Sequence, residues 1–392
     1  MSSLFSQQDQ HCSFQRIAII GMGLIGGSMG MALRQGNMAT EVVGCDRNEE
    51  SLALALTTQA AHRVEKEIAR AVEGADLIIL ATPVRTYPKI LDAMKKHLEP
   101  GAIVTDVGST KSWVVQELES MLGEKNPFVG GHPMAGSEKK GIEGADRYLL
   151  ENAVYVLTPS ERTDRNALKK VEKMVQSLGA RTLELSPEEH DTMVAMVSHL
   201  PHMVAVALVD TLGEVTKTQP EVTMLAAGGF RDTTRIAAGD PQMWFDIACT
   251  NRKHLVEKIE HFQRLLTQLK DEIIACGPSS SNVKNEGLSQ SPQEPLKGRL
   301  HRARELRLTI PGKAKGLLPG IHEVVVTVPD RPGMIGHIAR LLGDEEVNIA
   351  DIEILRVREG HGGTIRVGFY KEEEAEKALQ ILSQDGIIVK RW

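Results

Sequence analysis

Short apolar runs alternate with stretches of helical periodicity in the first half of the chain. The apolar runs predict β-strands at residues 16–20, 41–46, 75–81, 102–106, 153–158 and 181–185. The stretches between them predict helices at residues 24–34, 49–57, 85–97, 111–122 and 164–178. Strands that alternate with helices of this length are typical of βαβ units and a mostly parallel sheet. We therefore predict a doubly wound α/β domain over residues 14–186.

The pattern changes after residue 186, where no further strand candidate occurs before residue 276. Helical periodicity predicts helices at residues 188–200, 202–212 and 244–274. The segment around Val204 and Leu208 is apolar on most faces, and such a helix is buried in a core or against another subunit. We predict an all-helical domain over residues 187–276 that forms a homodimer.

The last third of the chain contains a linker and a small domain. Residues 277–298 are rich in Ser, Pro and Gly, and a Lys/Arg-rich stretch follows, so we predict a linker over residues 277–320. The segment 321–392 then predicts strands at 322–328, 347–357, 363–369 and 386–390 and helices at 334–342 and 372–382. This βαββαβ order is the ferredoxin-like motif.

Composition excludes several classes of protein. The 392 residues are 41% hydrophobic and 25% charged, which argues against disorder, collagen and coiled coil. A net charge of −6 lacks the basic footprint of a nucleic-acid binder. The polar residues 1–15 have no apolar signal-peptide core, and the apolar window 17–33 contains many glycines. We expect neither a nucleic-acid partner nor a membrane association.

The four cysteines are far apart and show no CxxC or zinc-site spacing. A chain of this size does not depend on a disulfide framework, and free thiols are typical of a reducing compartment. We expect a cytoplasmic protein without a bound metal.

A dinucleotide site is predicted at residues 21–26, which read GMGLIG. This GxGxxG motif follows a strand and opens a helix, and Asp46 ends the next strand, 20 residues after Gly26. The helix N-terminus would face the pyrophosphate, and the Asp46 carboxylate would accept hydrogen bonds from the ribose, so NAD is favoured over NADP in a Rossmann-type domain. The predicted cofactor contacts are Gly21, Gly23, Leu24, Ile25, Gly26, Asp46, Thr82 and Pro83.

Two other strands end in polar residues on the same side of the predicted sheet. Thr82 and Pro83 follow one strand, and Ser109 follows the next, where an open parallel sheet binds ligands. Ordinary turn chemistry explains Thr82 equally well. A helix N-cap is the alternative role for Ser109.

The segment 130–138 (GGHPMAGSE) is the most unusual stretch of the chain. It predicts a loop in which His132 faces a ligand, and a histidine is suited to acid–base chemistry near neutral pH. The alternative interpretation is that His132 is an ordinary histidine of a surface loop.

Two further motifs lie in the helical region. In Ser198-His199-Leu200-Pro201-His202 the two histidines are three apart, but the proline interrupts the helical register and weakens a metal-site reading. Residues 228–235 (GGFRDTTR) predict a glycine-led loop with Arg231 and Arg235, and arginine is suited to binding a carboxylate. Solvated arginines are the alternative.

Together these motifs resemble the prephenate dehydrogenase family, NAD-dependent enzymes of tyrosine biosynthesis. The resemblance covers nearly all of residues 14–274 and depends on GMGLIGGS, DVGSTK, GGHPMAGSE, SHLPH and GGFRDTTR in that order. Residues 322–392 resemble an ACT domain through PDRPGM and VNIADIEI, a module that usually binds an amino acid.

The resemblance implies the oxidative decarboxylation of prephenate. His132 would be the base that removes the C4 hydroxyl proton, and Ser109 would orient both the hydroxyl and the histidine. Arg235 would bind the pyruvyl carboxylate. Further substrate contacts are implied for His202, Arg231, Glu138 and Ser198. Tyrosine would act as an effector at Asp330, Arg331, Pro332, Gly333 and Asn348.

Three rival functions remain open at this point. The motifs do not separate prephenate dehydrogenase from arogenate dehydrogenase, whose substrate has an amino group in place of the keto group. A hydroxy-acid dehydrogenase of the same fold would lack the His132 loop and would usually supply a catalytic lysine. A non-catalytic sensor of NAD and amino acids is disfavoured by the intact set of His132, Ser109 and Arg235.

Overall fold

The computed structural model describes residues 14–136, 141–276, 294–310, 322–329, 331–358 and 362–391. The chain divides between Arg307 and Leu308 into two compact units.

An eight-stranded sheet forms the centre of the first unit. Its strands are β1 Phe14–Ile20, β2 Ala39–Cys45, β3 Arg63–Glu65, β4 Leu77–Leu80, β5 Ile103–Asp106, β6 Phe128–Pro133, β7 Val154–Thr158 and β8 Arg181–Glu184. They lie in the order β3-β2-β1-β4-β5-β6-β7-β8. All neighbours are parallel except β6 and β7, which pair antiparallel. The predicted doubly wound sheet is confirmed, with the short β3 as an added edge strand.

Both faces of this sheet are covered by helices, so its strands are apolar in continuous runs. The helices are α1 Leu24–Gln35, α2 Glu49–Thr57, α3 Ile68–Val72, α4 Tyr87–Met94, α5 Ser112–Leu122 and α6 Arg165–Ser177. Ile17 and Ile19 of β1 pack in one core with residues of α1 and α6, and Ala18 and Ile20 pack in the other with residues of α4 and α5.

The rest of the first unit is helical. It contains α7 Pro187–Val194, a π-helical turn Ala195–His199, α8 Leu200–Thr216, α9 Gly228–Thr234, α10 Pro241–Thr250, α11 Arg252–Ala275 and α12 Glu294–Thr309. Helix α12 occupies part of the segment predicted as linker, whereas residues 277–293 and 311–320 lie outside the described residues.

Three local predictions in this region are wrong. Pro201 does not interrupt the helix, because the π-turn before it widens the backbone and Pro201 then sits in the first turn of α8, where its missing N–H is tolerated. The predicted loop at residues 228–235 begins instead as helix α9, in which Thr234 is buried. The long helix predicted at 244–274 is divided at Asn251, whose φ of −115° and ψ of 30° are not helical.

Helices α7 and α8 with the turn between them form one helical run, Pro187–Thr216. By length and composition alone this run could span a membrane, with a mean hydropathy of 1.7 over its most apolar window. A third of that window is buried inside the protein. Within this run the side chains of His190 and Asp191 are 0% and 1% exposed and lie against each other, which is typical of a helix packed in a protein core.

The second unit is a four-stranded antiparallel sheet with two helices. The elements are β9 His322–Val328, α13 Met334–Asp344, β10 Asp351–Arg358, β11 Gly362–Phe369, α14 Glu372–Gln384 and β12 Ile388–Arg391. The strand order β10-β11-β9-β12 and the element order βαββαβ confirm the predicted ferredoxin-like fold. Strand β10 starts later than predicted, because residues 347–350 form an irregular approach to it.

Candidate active site

The turn between β1 and α1 has the shape that a dinucleotide pyrophosphate needs. Gly21 has φ +104°, and a Cβ there would lie 2.5 Å from the carbonyl oxygen of Ala81. A Cβ on Gly26 would lie 2.0 Å from the Gly21 carbonyl oxygen, so this glycine allows α1 to pack on β1. A Cβ on Gly23 would meet nothing within 4 Å, which leaves its backbone open to a ligand. The three glycines therefore fit the roles of the dinucleotide motif.

Asp46 closes the same turn from the end of β2. Its carboxylate accepts hydrogen bonds from the backbone N–H groups of Met22, at 2.8 Å, and Asn48, at 3.0 Å. The side chain remains partly exposed, so its lone pairs stay accessible to ribose hydroxyls.

A cavity of about 740 Å³ opens beside this turn. Its lining includes Gly21, Gly23, Asp46, Lys66, Thr82 and Pro83. The predicted contacts Leu24 and Ile25 lie in the first turn of α1 and are half-buried, outside this lining. The cavity suits the adenosine half of a dinucleotide, whose pyrophosphate would reach the N-terminus of α1.

A buried ion pair organises the next strand ends. The Lys111 ammonium and the Asp106 carboxylate are both 0% exposed and are hydrogen-bonded to each other. Lys111 also donates to the Gly131 carbonyl oxygen at 2.7 Å, and Asp106 accepts from the Gly131 N–H at 3.1 Å. Burial lowers the pKa of Lys111, and the adjacent Asp106 carboxylate opposes that shift. The pair therefore fixes the backbone immediately before His132.

His132 lies on a strand rather than in the predicted loop. Strand β6 extends to Pro133, and His132 is paired with Val156 of β7. The glycines before it serve close packing, since a Cβ on Gly131 would lie 2.8 Å from the Asp106 carbonyl oxygen. The His132 side chain is partly exposed, so it remains accessible to a ligand.

The His132 ring begins a chain of hydrogen-bonded side chains. Its Nδ1 lies 2.8 Å from Nε2 of His190, and Nδ1 of His190 lies 2.8 Å from the Asp191 carboxylate. Asp191 also accepts the backbone N–H groups of Lys111, at 2.7 Å, and Ser112, at 2.8 Å. Helix α7 thus supplies two side chains that connect His132 to the N-terminus of α5.

The environment keeps His132 neutral. Burial is the main cause that holds its pKa well below the ordinary value of 6.5, and the nearby His190, Lys111 and His199 add to the shift. The pKa of His190 is also lowered, chiefly by burial and against the pull of Asp191. A neutral imidazole is the form that accepts a proton, so His132 has the state required of a general base at neutral pH.

The rings of His199, His202 and Trp244 pack together next to this cluster, two of them on the helical run. Asn251 donates to the Asp191 backbone carbonyl at 2.8 Å and lies 3.2 Å from His199 Nδ1. Trp244 is edge-on to His199 and stacked on His202, with ring centroids 3.5 Å apart in the second pair. Nδ1 of His202 is buried and has no hydrogen-bond partner within the described part of the chain. This buried nitrogen is therefore a polar atom left unsatisfied by the described residues.

Three of the other predicted substrate contacts lie in the helical part of the first unit. Ser198 is half-buried in the π-turn that also holds His199. Arg231 is exposed on α9, and exposed Arg235 starts the short 3₁₀ helix that follows. Glu138 lies outside the described residues.

Ser109 is not a helix cap, which removes the alternative role considered above. Helix α5 starts at Ser112 and its N-cap is Lys111. Ser109 lies two residues before that cap, half-buried, in the loop that joins the Asp106 strand end to α5.

The predicted effector residues fall in the second unit. Arg331, Pro332 and Gly333 line a cavity of about 400 Å³. Asn348 is exposed in the irregular segment before β10 and is not in that lining, and Asp330 lies outside the described residues.

Sequence reasoning gave no role to His190 and Asp191. An adjacent His-Asp pair on a predicted helix was a visible signal, but nothing in its spacing from His132, 58 residues away, shows that the two histidines meet.

Three family profiles match this chain. Residues 29–184 match "Prephenate dehydrogenase, nucleotide-binding domain", residues 186–285 match "Prephenate dehydrogenase, dimerization domain", and residues 322–383 match "ACT domain".

Known proteins agree with these matches. Prephenate dehydrogenase of Bacillus subtilis (strain 168) is 33% identical over 367 residues, which cover 93% of this chain and 95% of that protein. The crystal structure of prephenate dehydrogenase from A. aeolicus in complex with hydroxyphenyl propionate and NAD+ has a TM-score of 0.68 at 36% identity, and the match covers 76% of this chain and 98% of that one.

Synechocystis arogenate dehydrogenase has a TM-score of 0.62 at 30% identity, with 75% of this chain and 99% of that chain covered. The Rossmann-type domain, the helical dimerisation domain, the ACT domain and the use of NAD are confirmed by these matches. At this identity and coverage, the chain belongs to the prephenate dehydrogenase family.

Proposed function

We propose that the protein catalyses the oxidative decarboxylation of prephenate to 4-hydroxyphenylpyruvate, with reduction of NAD to NADH, in tyrosine biosynthesis. The observation that best supports this reaction is the neutral His132. It lies near the carboxyl end of β6, and the dinucleotide turn follows the carboxyl end of β1 in the same sheet. The reaction needs a base that is unprotonated at neutral pH, next to a hydride acceptor.

His132 acts as the base. Its ring accepts the proton of the C4 hydroxyl, and the O–H electron pair becomes the second bond of the new carbonyl while the C4 hydride departs. Bound NAD supplies the hydride acceptor for this step. The C1–carboxylate bond then breaks to release CO2, its electron pair moves through the ring to the C4 oxygen, and that oxygen takes up a proton to give the phenol. The ring becomes aromatic, which provides the driving force. Ser109 orients the hydroxyl toward His132.

Positive and polar side chains bind the dianionic substrate. Arg235 binds the pyruvyl carboxylate, since a guanidinium pairs with a carboxylate through two parallel hydrogen bonds. The unpaired Nδ1 of buried His202 provides a further contact. Arg231, Ser198 and Glu138 are assigned as further substrate contacts.

A second candidate substrate is arogenate, because the protein is similar to Synechocystis arogenate dehydrogenase as well. Arogenate undergoes the same chemistry at C4 and C1, so the base, the cofactor and the fold would be unchanged. The two substrates differ only in the side-chain group that faces the substrate-binding residues.

The proposal includes a homodimer through the helical domain, whose matching profile is a dimerization domain. The exposed apolar side chains Met193, Met196, Val197 and Val209 on the helical run support a subunit contact there. It also includes feedback by tyrosine at the cavity lined by Arg331 and Gly333, and a cytoplasmic location.

The test is NADH production by the purified full chain with NAD and either prephenate or L-arogenate, each with and without tyrosine. Turnover of prephenate is the expected result, and turnover of arogenate alone would replace the substrate but keep the mechanism. No turnover of either compound would contradict the proposed activity. Unchanged rates with tyrosine would contradict the proposed feedback.

A further inference from the structure

His190 and Asp191 have no part in the reaction described above, although both are buried next to the base. The Asp191 carboxylate has three donors around it. Two are the backbone N–H groups of Lys111 and Ser112, and the third is His190 Nδ1 at 2.8 Å. Burial alone would raise the pKa of Asp191, but the His190 hydrogen bond and the Ser112 N–H overcome that effect and lower it. Asp191 is therefore an ionised carboxylate that accepts hydrogen bonds.

An ionised carboxylate cannot donate, so the proton between Asp191 and His190 must belong to His190 Nδ1. A neutral His190 with its proton on Nδ1 has a bare Nε2, which accepts. The 2.8 Å contact between His190 Nε2 and His132 Nδ1 then requires His132 to donate from Nδ1. The other nitrogen of His132, Nε2, is consequently left with a free lone pair.

We propose that His190 and Asp191 are positioning residues that hold His132 in the Nδ1-protonated tautomer and so leave Nε2 free to accept the substrate proton. The inference rests on the proposed function for its chemical consequence. In the reaction, the substrate O–H bond breaks and an N–H bond forms at His132 Nε2. The negative charge of the Asp191 carboxylate stabilises, through His190, the positive charge that results on His132.

The other charged and titratable groups around the two histidines do not compete for this role. Lys111 precedes α5 and is paired with Asp106 at the end of β5. His199 of the π-turn has its pKa lowered to about 4 by burial, so it is neutral at pH 7. Asp191 is thus the anion that is in direct contact with the histidine pair.

Two substitutions of His190 form a matched test. In His190→Gln, the amide donates to Asp191 through its NH2 group and accepts from His132 through its oxygen. The donor-to-acceptor direction of both hydrogen bonds is therefore kept. In His190→Leu, both hydrogen bonds are lost and the His132 tautomer is no longer selected. We expect kcat to fall at least 100-fold in H190L and less than 10-fold in H190Q, with KM for prephenate and NAD affinity within about 3-fold of wild type.

Asp191→Asn supplies an independent readout. Its amide can donate to His190 Nδ1, which reverses the chain and places the proton on His132 Nε2, so kcat should fall by about 10²- to 10⁴-fold. Loss of the nearby negative charge disfavours protonated His132, so the acid limb of the kcat/KM profile should move to lower pH. A merely structural defect would not move this limb.

Equal activities of H190Q and H190L, or an unchanged acid limb in D191N, would overturn the proposed role. The ¹⁵N chemical shifts of the His132 ring in the wild-type chain, assigned with His132→Asn, report the tautomer without any substrate. Protonated Nδ1 and bare Nε2 are expected, and the opposite tautomer would refute the inference. This measurement stands even if the chain fails to oxidise prephenate, which would count against the proposed function alone.

Discussion

Individual side chains at the end of the sheet are placed by a few strong contacts rather than by the local chain. His132 owes its backbone position to the Lys111–Asp106 pair, which bonds to both the N–H and the carbonyl of Gly131. It owes its protonation state to burial. The position of His132 and its protonation state therefore have separate causes, so different substitutions should affect each of them.

Replacement of His132 by Asn should remove the base while keeping the nucleotide site intact. We expect turnover to fall by about 10²- to 10⁴-fold because general base catalysis typically contributes this much. NAD affinity, measured by calorimetry, should stay within about 3-fold of wild type. The exposed His97→Asn is the control and should keep full activity. A fully active H132N would show that another group removes the proton.

Replacement of Lys111 by Met should destabilise the protein, because it leaves the buried Asp106 carboxylate without its counter-charge. Loss of one partner of a buried pair typically costs about 3–5 kcal/mol in the free energy of unfolding. Lys95→Met removes a surface pair with Asp92 and should cost less than about 1 kcal/mol. Urea unfolding at one protein concentration compares the two variants, and equal losses would contradict the structural role of Lys111.

At the scale of elements, the helical run Pro187–Thr216 supplies both site residues and the apolar surface assigned to the dimer. The π-turn Ala195–His199 accommodates Pro201 within this run. His190, His199 and His202 consequently lie on one continuous element, which meets β6 and α10 at the site.

The glycine turn offers a comparison of two substitutions that differ in what the added methyl group meets. Gly26→Ala should destabilise the fold by about 1–3 kcal/mol, because its Cβ would meet the backbone of Gly21 at 2.0 Å. Gly23→Ala meets nothing within 4 Å, so stability should stay within about 1 kcal/mol of wild type.

NAD affinity should nevertheless fall at least 10-fold in G23A, since the methyl group occupies the approach of the pyrophosphate. Thermal unfolding without NAD and calorimetric titration with NAD separate the two effects. Wild-type NAD affinity in G23A would exclude this turn as the pyrophosphate site.

The sequence predicted elements well wherever hydrophobic periodicity was regular. The alternating strands and helices of the first domain and the βαββαβ unit follow from such periodicity. Prediction from the sequence failed at Pro201, which the preceding π-turn accommodates. It also failed at the two glycines that open α9 and at Asn251, where tertiary contacts override local preference: Thr234 is buried, and Asn251 bonds to Asp191.

Site residues were predictable only where a motif was known. His132 and Asp46 belong to recognisable motifs, whereas the contact of His190 with His132 joins residues 58 positions apart. Contacts of this kind arise from the packing of α7 on the strand ends, which no local pattern encodes.

At the scale of the whole molecule, the first unit buries several histidines in uncharged form. The pKa values of His132, His190, His199 and His202 are all lowered from 6.5, with burial as the main cause in each. In the unfolded chain these rings bind protons near pH 6.5, and in the folded chain they do so only at lower pH. Acid therefore favours the unfolded state.

The free energy of unfolding should accordingly decrease as the pH falls from 7 to 5. Each histidine contributes up to about 1.4 kcal/mol per pH unit between its unfolded and folded pKa values. Urea unfolding at pH 7, 6 and 5, at constant protein concentration, measures the slope. H132N should show a shallower slope than wild type. Stability that is constant over this range would contradict the lowered pKa values.

The position of Asp191 has a consequence for recombination between relatives. Asp191 lies on α7, beyond residue 186, yet it caps α5 of the nucleotide-binding domain through the Lys111 and Ser112 N–H groups. A chimera joined at residue 186 would take the base from one parent and the anion that faces it from another. A crossover placed after α8 would take His132, His190 and Asp191 from a single parent, so the segment to be exchanged is longer than the nucleotide-binding domain.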